Sequence, residues 1–242
     1  MSVIGIIGRG KMGQAIEALL ELDPDTQFHV FSRLSEQNLP FLKACNAVIE
    51  FTTPEAAPDI IRTCLTAQIP VISGTTGWHE FHLDQIIKLT QDTEGRFLYA
   101  SNFSVGMNIT FALNRRLIAI MNQFKQFIPS IREVHHIHKK DAPSGTALTL
   151  IDDIIGFHSA YTGYELNNAS DPIDEDKFSV TAIREGEVKG YHEVSWNSGL
   201  EKISISHEAF DRKIFAAGAI MAANWLKDQQ PGVYTMKDII RL

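Results

Sequence analysis

The chain has 242 residues, 44% hydrophobic and 21% charged, which suits one large or two small globular domains with ample core. Its 29 acidic and 22 basic side chains leave a formal charge of −7, which argues against a nucleic-acid or anionic-membrane partner. No apolar run approaches the ~20 residues of a membrane span, and Ser2-Val3-Ile4 lacks the flanks of a signal peptide. Cys45 and Cys64 have no metal spacing and read as buried, reduced thiols, so a cytoplasmic protein is expected.

In the first half, strands and helices alternate. Val3–Ile7 predicts a strand that runs straight into Gly8-Arg9-Gly10-Lys11-Met12-Gly13. Ala15, Ile16, Ala18, Leu19 and Leu22 then form a helical stripe, ended by Asp23-Pro24-Asp25. Gln27–Ser32 and Ala47–Phe51 predict two further strands, and Pro54 opens a helix to about Ala67. Val71–Ser73, a helix over about Glu80–Thr90 and the strand Arg96–Ala100 complete the pattern, which favours a parallel sheet covered on both faces.

Beyond Ala100 the rhythm changes. Met107–Phe124 predicts a long amphipathic helix, Ile131–His138 a strand and Ala147–Ile155 a short helix. The polar stretch from about His158 to Asp176 reads as a surface connection. Phe178–Glu185, Tyr191–Trp196 and Lys202–His207 read as strands of a mostly antiparallel sheet, and helices over Arg212–Lys227 and Thr235–Ile240 close the chain. The fold class is therefore α/β: a Rossmann-type parallel sheet over residues 1–106 and a second α+β domain over 107–211. The C-terminal helix, within 212–242, is able to pack on either.

Gly8, Gly10 and Gly13 fit the glycine turn of dinucleotide sites. The first allows the tight turn, the second the approach of a pyrophosphate, and the third close helix–strand packing. The segment Gly8, Arg9, Gly10, Lys11, Met12, Gly13 is thus the expected cofactor cradle, completed by free N–H groups at the helix start. An NAD site usually carries an acid at the end of the second strand, but here Ser32 and Arg33 stand there, with no acid until Glu36. A hydroxyl and a guanidinium suit the extra phosphate of NADP, so NADPH is expected, with NADH as the alternative donor. Gly74, Thr75 and Thr76 after the fourth strand, and Ala100, Ser101, Asn102 and Phe103 after the fifth, lie at the strand ends where the nicotinamide would sit. A plain turn is the competing reading of each loop.

Residues Glu133 to Ala147 concentrate the chemistry. Three of the nine histidines (His135, His136 and His138) fall within four residues, Lys139 and Lys140 follow, and the segment enters Pro143-Ser144-Gly145-Thr146. Histidine donates protons near neutral pH. In a strand, His135 and His136 point to opposite faces, while His136 and His138 share one and could ligate a metal with a third donor. The adjoining lysines disfavour a cation, and no metal is expected. Ser144 is able to cap the following helix, whose unpaired N–H groups form an anion cradle.

Over nearly its whole length the chain resembles the dihydrodipicolinate reductase family. The matching segments are the Gly8–Gly13 turn, Glu50-Phe51-Thr52, Gly74-Thr75-Thr76-Gly77, Asn102-Phe103-Ser104-Val105-Gly106, His135-His136 through Thr146-Ala147, and Arg184-x-Gly186 with Gly190-x-His192. It departs in a shorter glycine loop, in Glu50 where the family usually has Asp, and in Ser32-Arg33 where an acidic–basic pair is expected. The resemblance implies NAD(P)H-dependent reduction of 4-hydroxy-tetrahydrodipicolinate in lysine and diaminopimelate biosynthesis, by a homotetramer built through the second sheet. It implies His135 as general acid, Lys139 as its charged catalytic partner, and His136, Gly145 and Thr146 as contacts to the dicarboxylate substrate. Another Rossmann-type reductase, such as an amino-acid dehydrogenase, and a non-catalytic NADP-binding sensor are the alternatives.

Overall fold

The computed structural model describes residues 2–35, 37–166 and 174–240. Glu36, and residues 167–173 of the polar stretch read as a surface connection, lie outside them. The chain forms two compact units: one from residues 1–105 together with 212–242, the other from residues 106–211.

The first unit opens with β1 (Ser2–Ile7), α1 (Lys11–Leu20), β2 (Thr26–Phe31), α2 (Leu39–Lys43), β3 (Ala47–Glu50) and α3 (Ala57–Thr66). It continues with β4 (Val71–Ser73), α4 (His79–Asp92) and β5 (Arg96–Tyr99). The second unit contributes α5 (Val105–Met121), β6 (Ile128–His135), α6 (Gly145–Phe157), β7 (Gly163–Leu166), β8 (Lys177–Arg184), β9 (Tyr191–Asn197) and β10 (Lys202–Glu208). The chain then returns to the first unit with α7 (Lys213–Leu226), β11 (Gly232–Tyr234) and α8 (Met236–Ile240).

The six strands of the first sheet run in the order β11-β5-β4-β3-β1-β2, and every pair is parallel. All four residues of β3 are buried, as expected of a strand covered on both faces. On one side Ile16 and Leu20 of α1 share a core with Ala216, Ala219, Ala222, Ala223 and Leu226 of α7. The alanines recur at helical spacing, and their small side chains let α7 lie close to the sheet. On the other side Ile60, Ile61, Cys64 and Leu65 of α3 and Ile86 of α4 form the second core. The proline in the first turn of α3 is Pro58, whereas Pro54 lies in a turn before the helix. Two elements were not expected: α2, and the edge strand β11, which pairs with β5.

The second sheet is mixed, in the order β10-β9-β6-β8-β7. β9 pairs antiparallel with both β10 and β6, as expected, but β8 pairs parallel with β6 and with β7. β7 lies inside the stretch read as a connection. Phe111, Ile118, Leu150, Ile151 and Ile154 from α5 and α6 cover one face against Ile131, Phe178, Val180, Val194 and Trp196. β6 ends at His135, three residues short of the expected end. Beyond His135 the regular β6–β8 register lapses: the Ile137 N–H donates to the carbonyl of Gly186, which has φ +47, and a turn closed by Lys139 N–H on the His136 carbonyl follows. His136 and His138 therefore share no strand face, although their rings lie 6.1 Å apart.

Candidate active site

In the first unit the loop after β1 has the geometry its glycines imply. Gly8 has φ +111, and a Cβ there would lie 2.0 Å from the Phe51 carbonyl oxygen. A Cβ on Gly13 would lie 1.9 Å from the Gly8 carbonyl oxygen. Both must be glycine for the fold to close. Gly10, the extended residue capping α1, has nothing within 4 Å of its missing side chain, so the backbone is bare where a pyrophosphate would rest. Exposed Arg9 and Lys11 flank it with positive charge, and half-buried Met12 packs against the core. After β2, Ser32 and Arg33 are exposed, and Asn38 ties the loop by donating to the Arg33 carbonyl and accepting from the Ser35 N–H.

The loops after β3 and β4 are joined through Glu50, which is fully buried. One carboxylate oxygen accepts from the Thr52 N–H (2.7 Å), the Thr52 hydroxyl (2.5 Å) and the Thr75 hydroxyl (2.6 Å); the other accepts from the Ser73 hydroxyl (2.6 Å). Thr75 is held further by Trp78, whose indole N–H donates to its carbonyl at 2.8 Å. Gly74 packs beneath the Phe51 ring, where a Cβ would approach within 2.1 Å, and Thr76 is exposed. In the neighbouring loop the Ala100 N–H donates to the Ser73 carbonyl, Ser101 is exposed, Asn102 accepts from the Ser104 N–H, and Phe103 is buried. These residues lie at the carboxyl ends of β4 and β5, the edge where open parallel sheets bind ligands. The groups present fit a nicotinamide dinucleotide: a bare glycine turn, two flanking cations and fixed hydroxyl-bearing loops.

In the second unit the histidine segment is organised around Glu133, an acid fully buried on the central strand β6. One carboxylate oxygen accepts from Arg184 Nη2 (2.9 Å) and from the Ser144 N–H (3.1 Å). The other lies 2.8 Å from His135 Nδ1 and 3.9 Å from His192 Nε2. The contact with His135 is at charge-pair distance without hydrogen-bond angles. Arg184 also donates to the carbonyls of Lys139 and Asp141, fixing the loop after β6. The Lys139 ammonium lies 2.9 and 2.7 Å from the two carboxylate oxygens of Asp141. Ser144 caps α6 by accepting from the Ala147 N–H at 3.2 Å, and its hydroxyl lies 3.1 Å from His192 Nε2. Exposed Gly145 and half-buried Thr146 form the first turn of α6, with open space where a Gly145 side chain would sit, and half-buried His136 follows β6.

Burial alone would raise the Glu133 carboxyl, but the close His135 ring and the hydrogen bonds from Ser144 and Arg184 outweigh it and hold the group down at about 2. Burial, with the charge of His135 second, pushes His192 down to about 3, so its imidazole is neutral. Burial would likewise raise Asp141, and the bond and charge of Lys139 lower it instead. Glu133, His135 and His192 are of metal-ligating type and close together. Tetrahedral zinc ligands at ~2.0 Å stand roughly 3.3 Å apart. The 2.8 Å between Glu133 and His135, with Arg184 already neutralising the carboxylate, favours a proton-holding group over a metal centre.

Through Glu133 the structure links His135, Arg184 and the Ser144 N–H at the start of the turn that carries Gly145 and Thr146, while the Lys139 side chain pairs with Asp141 in the loop that Arg184 holds. The sequence reading assigned no role to Glu133, Arg184, His192 or Glu50. For Glu133 the signal was present: it stands two residues before His135, on the same face of one strand.

The glycine-turn sheet and the buried proton-bearing group together define a Rossmann-type, nicotinamide-dependent oxidoreductase. Residues 2–103 match the family described as dihydrodipicolinate reductase, N-terminus, and residues 106–240 match dihydrodipicolinate reductase, C-terminus. The chain belongs to the dihydrodipicolinate reductase family. It is 38% identical to the 4-hydroxy-tetrahydrodipicolinate reductase of Christiangramia forsetii, covering 98% of this chain and 97% of that one. It is 34% identical to the enzyme of the same name from Alkaliphilus oremlandii, covering 96% and 95%. Among solved structures, the dipicolinate-bound dihydrodipicolinate reductase from Paenisporosarcina sp. TG-14 aligns with a TM-score of 0.76 at 19% identity, over 99% of each chain. At that identity the likeness is one of fold.

Proposed function

We propose that this chain reduces 4-hydroxy-tetrahydrodipicolinate to tetrahydrodipicolinate, consuming NAD(P)H and one proton and releasing NAD(P)⁺ and water, in lysine and diaminopimelate biosynthesis. The observation that carries the reading is the family match across both units, with the family's histidine, lysine and Ser-Gly-Thr segments joined through Glu133. The reduced nicotinamide, when bound, supplies the hydride. Gly8, Arg9, Gly10, Lys11, Met12 and Gly13 hold the pyrophosphate, and Gly74, Thr75, Thr76, Ala100, Ser101, Asn102 and Phe103 border the nicotinamide. Ser32 and Arg33 favour NADPH by offering a hydroxyl and a cation to its extra phosphate.

In the second unit His136 and the first turn of α6, at Gly145 and Thr146, take the substrate's carboxylates. His135 would donate the proton that the electron-rich substrate ring then takes up, and Lys139 would stabilise the negative charge that develops there. For Lys139 to act on substrate, a substrate carboxylate must displace or share its partner Asp141. We further propose a cytoplasmic homotetramer assembled through the second sheet, on family likeness.

The experiment is NADPH oxidation with the condensation product of pyruvate and aspartate semialdehyde, run on the parent, His135→Gln and Thr146→Val. Planar pyridine-2,6-dicarboxylate should compete with substrate. General acid catalysis is worth ~10²–10⁴-fold, so His135→Gln should lose turnover in that range with NADPH affinity unchanged, while Thr146→Val mainly raises the substrate KM. Absence of oxidation by the parent would overturn the activity; near-parental turnover of His135→Gln would move the acid elsewhere.

A further inference from the structure

The Glu133 carboxylate has no exposed surface and sits on the central strand of its sheet. An ionised carboxylate there is costly unless every lone pair is used. The two oxygens divide their partners. The Oε1 side has two fixed donors, Arg184 Nη2 and the Ser144 N–H, neither of which can become an acceptor. The Oε2 side faces His135 Nδ1 at 2.8 Å. Arg184 carries the connection on to the backbone of Lys139 and Asp141. Across the ring, Gly190 leaves Nε2 uncovered: with φ +155, it would place an added Cβ 3.3 Å from that atom.

We propose that Glu133 is the positioning residue of the proton donor. It takes the Nδ1–H of His135 and thereby makes Nε2, the atom over Gly190, the one that gives up its proton. This rests on the reading in which His135 is the acid. A neutral imidazole carries its proton on one nitrogen only, and its surroundings choose which. When the imidazolium donates from Nε2, the proton left on Nδ1 points at an ionised carboxylate, so the product of the transfer is held in place. The other charged or titratable groups around the pair are Arg184 on β8, His192 on β9, His207 on β10, and Lys139 and Asp141 in the following loop. His192 is neutral and lies against Ser144, 3.9 Å from the carboxylate, so it does not compete for the proton.

The substitution Glu133→Gln separates this role from a merely structural one. Its single amide oxygen is claimed by the two fixed donors on the Oε1 side, so its NH₂ group faces His135 Nδ1. That nitrogen must then accept, and the neutral imidazole switches to the Nε2–H form. The test uses the whole protein with ¹⁵N-labelled histidine. In the parent, neutral His135 should show the Nδ1–H pattern, and in Glu133→Gln the Nε2–H pattern. Turnover of Glu133→Gln should fall about 10²–10⁴-fold while NADPH binding, on the other unit, stays within twofold. In a His135→Gln background the same change should cost less than threefold, because residues acting as a unit are not additive. An Nε2–H pattern in the parent, a measurement that requires no variant, would overturn the proposal, as would turnover of Glu133→Gln within threefold of the parent. If His135→Gln itself retains turnover, the reading of His135 as the acid fails instead, and the two failures are distinguishable.

Discussion

Replacing Glu50 tests how the loops at the carboxyl ends of β3 and β4 are held. Its carboxylate is fully buried and accepts from Thr52 twice, from Ser73 and from Thr75, at 2.5 to 2.7 Å. In Glu50→Ala the Ser73 and Thr75 hydroxyls lose their acceptor inside the protein, at about 1–3 kcal/mol for each orphaned group. The Thr52 N–H keeps a partner in the Thr75 oxygen at 2.8 Å. Some of the loss is regained because a charge is no longer buried, so the net destabilisation should be about 2–4 kcal/mol. Glu50→Gln keeps the shape and lets the hydroxyls rotate, exchanging charged for neutral hydrogen bonds, and should cost about 1–2 kcal/mol. Urea unfolding followed by tryptophan fluorescence reads this directly, since buried Trp78 bonds to Thr75. NADPH affinity should fall in the same order, Glu50→Ala below Glu50→Gln, while pyridine-2,6-dicarboxylate affinity, on the other unit, holds. An Ala variant within 0.5 kcal/mol of the parent, taken as a threshold well below the ~1 kcal/mol of one hydrogen bond, would refute the claim that this carboxylate braces the loops.

The two outer glycines of the turn should respond differently from the middle one. Gly10→Ala should melt within a degree or two of the parent but bind NADPH at least tenfold more weakly, whereas Gly13→Ala, with its Cβ 1.9 Å from a carbonyl oxygen, should lower the melting temperature; calorimetry with a cofactor titration checks both. Arg33→Ala should raise the KM for NADPH by about tenfold, the scale of one charge-assisted contact, and leave that for NADH nearly unchanged. Stability should fall on acidification in two stages. Unfolded His192 takes up a proton below its ordinary 6.5 whereas the folded residue resists to about 3, so stability is lost as pH drops through that window. Glu133, at about 2 against 4.5, adds a second loss from about pH 4.5 downward. Urea midpoints between pH 7 and 4 should therefore flatten in His192→Asn, and an unchanged acid limb would assign the loss to other groups.

Much of the first unit is legible in local pattern. Short apolar runs alternating with helical stripes mark β1 to β5 without tertiary information, with glycine directly after β1 and β4. β11 and β7 are different. β11 is three residues long and is fixed by pairing with β5, and β7 lies among polar residues and is only half-buried. Their existence depends on a neighbour that local pattern does not disclose. The same holds in the candidate site. The glycine turn and the Ser144 cap are short-range devices and read directly. Glu133 alternates onto the face of His135, which is local, but its burial depends on Arg184, 51 residues away, and its charge on that partner. β6 likewise ends early where its register with β8 lapses, at Gly186 in the turn after β8, and so His136 and His138 do not form the shared face that alternation predicts.

The first unit is discontinuous in the chain, and this has a consequence for biosynthesis. Residues 106–211 form an uninterrupted unit, but the cofactor-side unit needs α7, which lies more than a hundred residues after β5. α7 supplies Ala216, Ala219, Ala222, Ala223 and Leu226 to the core around Ile49, Ile72 and Leu98, and Gly218 passes so close to the Phe103 carbonyl that a Cβ would lie 1.9 Å away. During synthesis one face of the parallel sheet therefore waits, open and apolar, until almost the whole chain has left the ribosome, while the later-made unit has all its own elements first. The helix that seals the sheet is thus made long after the strands it covers, and the nascent protein is most exposed to aggregation before α7 appears.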